Sequence, residues 1–137
     1  VISELIEDVN PTEIYIPYEF DLHKDHASIS YAISVACRPY LKTARNIKRI
    51  LAYETLSETN ISPPYFYPPF QPNVYINISK TIDKKLVALS QYSSQIQSEN
   101  LPRSIDGVKS LASLRGKHIG IKAAEAFVLI GEYNRGS

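Results

Sequence analysis

The apolar positions of this chain change period several times along its length, and each change marks an element. Ile2, Leu5, Ile6 and Val9 fall on one helical stripe, which Asn10-Pro11 brings to a stop. Glu13-Ile14-Tyr15-Ile16-Pro17-Tyr18 is rich in strand formers and too short for a good helix, so helix, stop and strand make half of an α/β unit. From Ile29 through Ala32, Ile33, Ala36 and Cys37 the spacing returns to three and four. That predicts a helix to about Arg38, packed on a sheet, which Pro39 helps to end.

Ile47 to Tyr53 reads as the next strand, with Glu54 just past its end. The segment from Thr55 to Pro72 is dense in proline and aromatic residues, notably Pro63-Pro64-Tyr65-Phe66-Tyr67-Pro68-Pro69-Phe70-Gln71-Pro72. Proline removes backbone donors and fixes its own torsion, so this is neither a helix nor a central strand but a long ordered loop. Its rings could line a substrate cleft or a subunit contact or simply cover the core, and a flexible linker is the other alternative. Asn73 to Ile78 alternates like a strand with one wetter face, and Ser79 is placed to cap a helix over about Lys80 to Ser93 carrying Ile82, Leu86 and Leu89. After a break at Ser98 to Pro102, Val108, Leu111, Ala112 and Leu114 predict a further helix with Gly116 as its stop. The apolar run from Ala123 to Ile130 fits a strand or a helix equally.

Composition narrows the class. A chain of 137 residues with net charge +1 and interspersed acids and bases suits one globular domain. It gives no reason to expect a nucleic-acid or anionic-membrane partner. Cys37 is the single cysteine, so no internal disulfide can form, and its place on an apolar helical face suits a buried thiol and a reducing, cytoplasmic setting. No apolar run approaches the roughly 20 residues of a membrane span, and the N-terminus lacks a signal-peptide pattern. The chain contains no methionine and begins at helical spacing, which leads us to expect an incomplete domain, residues 1–137 being the C-terminal part of a longer one.

The candidate chemistry lies in Asp21-Leu22-His23-Lys24-Asp25-His26, between the first strand and the helix that follows. In α/β sheets ligands gather beyond the carboxyl ends of the strands, which is where this segment falls. Two imidazoles and two carboxylates within six positions suit a metal or acid-base site, because neutral imidazole binds zinc and a nearby carboxylate fixes its tautomer. The plain alternative is a polar loop with Asp25 as helix cap.

These residues also resemble a known family. Asp21-x-His23-x-Asp25-His26, Ala36-Cys37-Arg38-Pro39, Arg49 to Glu54, Pro72 to Ile78, Lys84-Lys85-Leu86, Tyr92-x-Ser94-Gln95, Pro102-Arg103-Ser104, Arg115-Gly116 and Ala124-Glu125-Ala126-Phe127 occur in that order. The series resembles the C-terminal part of the LmbE-like, or PIG-L, deacetylases, zinc-dependent hydrolases of N-acetylglucosamine derivatives, over nearly the whole chain. The resemblance implies an α/β, Rossmann-like sandwich with a mostly parallel sheet whose first strands are missing. It implies zinc, or another divalent ion, with His26 as a metal ligand, and His23 and Asp25 as a catalytic pair acting on the oxyanion or leaving amine. An N-acetylated amino sugar would be the substrate, and assembly into homo-oligomers is open. The family's remaining ligands and base come from an AHPDDE segment, and none occurs here. The implied alternatives are therefore a deacetylase part that is inactive alone and a noncatalytic sugar-binding or subunit-interaction domain. With the first strands missing, a sheet edge and apolar helix faces would be left uncovered, so the chain made alone is expected to self-associate.

Overall fold

The computed structural model describes residues 1–136. Helix α1 (Ile2–Val9) ends at Asn10, which takes the left-handed conformation that closes a helix and donates its N–H to Ile6 O. Strand β1 (Glu13–Pro17) follows, then helix α2 (Lys24–Ala36), strand β2 (Arg49–Tyr53), strand β3 (Val74–Asn77), helices α3 (Ile82–Ser90) and α4 (Ile105–Lys117), and strand β4 (Ala124–Glu132). The strand order is β1-β2-β4-β3, an α/β architecture as expected. The expectation of a mostly parallel sheet needs correction in its strand directions. β1 and β2 are parallel, Glu13 facing Arg49 through to Pro17 facing Tyr53, but β4 runs antiparallel to β2. The near-continuous apolar run of β4 reads like a parallel strand, which pointed away from the reversal, and mixed sheets are common.

The chain divides into two compact units, the first made of Val1–Gln71 with the chain from Phe127 onward, the second of Pro72–Ala126. In the first, α2 packs on β1 and α1 on α2, around Ile6, Ile16, Ala36, Cys37, Ile47 and Ile50. Ile50, Leu51 and Ala52 are all buried. Successive strand residues face opposite sides, so β2 is covered on both faces. Parallel pairing sends β1 and β2 out of the sheet at the same end, and Tyr18 N–H still bonds Tyr53 O there at 3.0 Å.

In the second unit α3 packs against α4, and Ile78, Ile82, Ala112 and Ala123 form the core. Ser104 caps α4, its hydroxyl accepting from Gly107 N–H at 3.0 Å. Two expectations change here. Ser79 does not cap α3, which starts later behind Thr81; its hydroxyl instead exchanges hydrogen bonds with the backbone of Ala123. Gly116 lies inside the last turn of α4 and the chain turns at Gly120, where φ is +73°. The run from Ala123 to Ile130, open on periodicity alone, is strand. Among the described residues no helix is long and apolar enough to cross a membrane.

Candidate functional site

The segment 18–26 leaves the carboxyl end of β1 and turns into α2. Its organising group is Asp21, whose side chain is wholly buried. Burying a carboxylate is costly unless donors surround it. Three do: Oδ1 accepts the backbone N–H of His23 at 2.9 Å, and Oδ2 accepts from His26 Nδ1 at 2.6 Å and from the Thr59 hydroxyl at 3.3 Å. Thr59 lies in a single 3₁₀ turn after β2, and its hydroxyl accepts the N–H of Thr55 at 2.8 Å.

The two imidazoles lie face to face, with ring centroids 4.8 Å apart and planes 25° from parallel. Their hydrogen bonds differ in sense. His26 Nδ1 faces a carboxylate, an acceptor only, so that nitrogen carries the proton and the lone pair is at Nε2. His23 is the N-cap of α2, and its Nδ1 accepts the N–H of Asp25 at 3.3 Å. Its lone pair is therefore at Nδ1, and a neutral His23 presents Nε2–H as a donor. Side by side the segment offers one nitrogen that can bind an electrophile and one that can donate to an anion.

Of the three residues singled out from the sequence, the structure brings His23 and His26 together and leaves Asp25 apart. Asp25 Oδ2 is 3.9 Å from His23 Nδ1, beyond hydrogen-bond reach, and its side chain is 81% exposed. The helix cap falls on His23 rather than on Asp25. Asp21 and Thr59 carry the geometry. Asp21 stood inside the motif without a role, and Thr59, 38 positions further on, gave no local signal. Tyr53, at the end of β2, belongs to the same neighbourhood: burial, and then the charge of Asp21, push its phenol above the ordinary tyrosine range.

The proline-rich loop is pinned over the start of this segment. Tyr18 OH donates to Pro68 O at 2.9 Å, and the Ser62 hydroxyl donates to Phe20 O at 2.6 Å. Tyr18 meets Phe70 edge-on at 5.2 Å, and Phe20 stacks on Tyr67 at 6.3 Å. Tyr65 and Phe66 project into solvent. In the second unit Glu125 forms an ion pair with Lys85.

Zinc was the expected metal, and the donor set can be tested against it. Histidines that bind metals characteristically give their other ring N–H to a carboxylate, and His26 does so to Asp21. Among the described residues, however, no group of three or more His, Cys, Asp or Glu converges to hold a cation. A catalytic zinc site uses three protein donors. The chain thus presents one oriented donor of such a set.

No protein-family model matches the chain. Among solved structures it is similar to the conserved protein TT1542 from Thermus thermophilus, at 23% identity and a TM-score of 0.74, over 99% of this chain and 60% of that one. It is also similar to the N,N'-diacetylchitobiose deacetylase from Pyrococcus horikoshii, at 18% identity and a TM-score of 0.65, over 94% of this chain and 49% of that one. The chain therefore spans about half to three fifths of the length of these proteins and has, over nearly all of its own length, the α/β fold that includes this deacetylase.

Proposed function

We propose that the chain is the part of a metal-dependent N-deacetylase that carries one metal ligand and the oxyanion donor, acting on an N-acetylated amino sugar. The observation that carries this reading is the pair of stacked imidazoles with opposite free nitrogens, one fixed by a buried carboxylate. The fold shared with a diacetylchitobiose deacetylase supports it. His26 would hold a divalent ion, zinc foremost, through Nε2. When bound, such an ion supplies Lewis-acid polarisation of an acyl oxygen and acidifies water.

His23 donates Nε2–H toward the oxygen that gains charge as the acetamide carbon becomes tetrahedral, worth about 3 kcal/mol in a preorganised site. Exposed Asp25 tunes His23 only weakly from 3.9 Å. The proline-framed aromatic loop offers ring faces against which a sugar can lie. The further metal donors and the base are supplied from outside the described residues, as the AHPDDE segment supplies them in the LmbE-like pattern. Cytoplasmic location and assembly into homo-oligomers belong to the same proposal.

The test uses the protein together with the chain that supplies those donors, with bound zinc measured beside amine release from N-acetylglucosamine conjugates. His26→Ala loses both zinc and turnover; His23→Ala keeps zinc and loses turnover by about 100-fold or more. Full turnover in either variant rejects the role assigned to that residue. A second reading, a noncatalytic sugar-binding or subunit-interaction module, is favoured by the lack of a three-donor cluster among the described residues. Binding of N-acetylated sugars with no amine released by the zinc-supplemented protein would establish it instead.

A further inference from the structure

We infer that Thr59 is a positioning residue for His26, acting through Asp21 to hold the ring in the Nδ1–H form with its lone pair at Nε2. The hydroxyl of Thr59 is itself directed. Its oxygen accepts the N–H of Thr55 at 2.8 Å, which occupies one lone pair and leaves the O–H to point at Asp21 Oδ2, 3.3 Å away. That same oxygen takes the His26 Nδ1 proton at 2.6 Å, while Oδ1 takes the backbone N–H of His23. Asp21 is thus gripped on both oxygens, by the start of α2 on one side and by the turn after β2 on the other. Thr59 is buried as a residue, so no solvent substitutes for its hydroxyl when it is removed.

The consequence is a relay from backbone to ring. The Thr55 amide sets the rotor of Thr59, Thr59 sets the carboxylate plane of Asp21, and the carboxylate sets which nitrogen of His26 keeps its proton. Without the Thr59 donor, Oδ2 retains the imidazole alone, and the carboxylate loses the contact that fixes its plane from the side of the turn after β2. An unconstrained imidazole favours the Nε2–H form, in which the nitrogen needed to bind a cation is blocked. The catalytic meaning of the relay rests on His26 being a cation donor, as proposed above. The form of the ring does not, so the two can fail separately.

The experiment is nitrogen-15 NMR of the imidazoles in this chain, without added metal, at a pH where the rings are neutral. The three histidines are told apart by single substitutions of His23 and His118. In the parent chain His26 is expected to show a pyrrole-like Nδ1 and a pyridine-like Nε2. Thr59→Val, of the same shape without the hydroxyl, moves the Nδ1 resonance toward the pyridine-like limit as the Nε2–H form gains population. Thr59→Ser keeps the hydroxyl and the parent pattern, while Thr59→Ala, which also lacks the hydroxyl and must show the same shift as the valine variant, carries the test should that variant not fold. An Nε2–H form of His26 in the parent, an unchanged pattern in a folded Thr59→Val, or loss of the pattern in Thr59→Ser would each overturn the inference.

Discussion

Asp21 is the residue on which the candidate site turns, because a wholly buried carboxylate is tolerable only while its three donors stay in place. Asp21→Asn keeps the shape but gives one position of the group N–H donors of its own. Facing His26 Nδ1–H and the Thr59 hydroxyl, that amide opposes donors it cannot satisfy together. Hydrogen bonds to charged groups are worth about 1.5–3 kcal/mol, so the variant should lose about 2 kcal/mol of stability in urea unfolding. It should also lower the pKa of Tyr53, since the Asp21 charge is the smaller of the two causes raising it; burial, the larger, remains. A phenolate absorbance titration of Asp21→Asn set against Tyr53→Phe reads this directly, and an unmoved Tyr53 titration would show that the two groups do not interact.

The same physics gives the pH profile of the fold. Burial raises Tyr53, Tyr18 and Cys37 above their ordinary values, with the charge of Asp21 adding at Tyr53 and that of Glu19 at Tyr18. A raised folded-state pKa means that the unfolded chain releases its proton first as pH climbs. Above the ordinary thiol and phenol values, about 8.5 and 10, the folded state holds more protons than the unfolded one. Stability from these groups is therefore fully present at neutral pH and falls as pH rises through that window. Urea midpoints should drop as pH rises past the ordinary thiol and phenol values, and Tyr53→Phe should flatten part of the drop. A profile with no alkaline fall would count against all three assignments.

At the scale of elements, α4 is held at both ends by close packing. A Cβ on Gly116 would sit 2.6 Å from Ile121 O and 2.8 Å from Ala123 N, both backbone atoms of the segment leading into β4. Gly116→Ala gains up to about 1 kcal/mol of helix propensity, but forcing a methyl against fixed backbone costs about 1–3 kcal/mol. With contacts this short the clash wins, and the variant should unfold at a lower urea concentration than the parent. An unchanged or higher midpoint would show that the turn after α4 can yield.

Gly116 also illustrates what was legible in the sequence. The apolar spacing placed the helix around it correctly, while the close approach of residues 121 to 123 was set by tertiary packing and left no local mark. Likewise α1, β1, α2 and β2 follow from stripe, stop and strand formers, but the direction of β4 does not. The bond between Ser79 and Ala123 joins residues 44 positions apart, and a capping pattern was the nearest local reading. The site divides in the same way. The histidines announced themselves by density, whereas the donor that completes the Asp21 shell comes from beyond β2, and the cap fell on an imidazole where a carboxylate was the more usual choice.

At the scale of the whole molecule, the exposed apolar surface of the first unit has a consequence for behaviour in solution. On α1 the stripe predicted from the sequence buries Ile6 but leaves Leu5 and Val9 about three fifths exposed; on α2 Ile29 and Tyr31 are exposed as well. β1 stands at the end of the strand order, so the side away from β2 has no strand partner among the described residues. An edge with strand-forming residues invites pairing with a second chain, and apolar helix faces beside it strengthen any such contact. Pro17 removes one donor at the end of β1, and Glu13 is tied to Arg49, so the α1 face beside this edge is the larger adhesive surface. This chain made alone should therefore associate as its concentration rises, shifting to larger species in light scattering and sedimentation. Leu5→Lys with Val9→Lys puts charges on the exposed stripe of α1 and should shift the distribution back toward monomer. If association persists in that variant, the contact runs through the β1 edge instead. A parent chain that stays a monodisperse monomer at every concentration would mean that neither surface is adhesive.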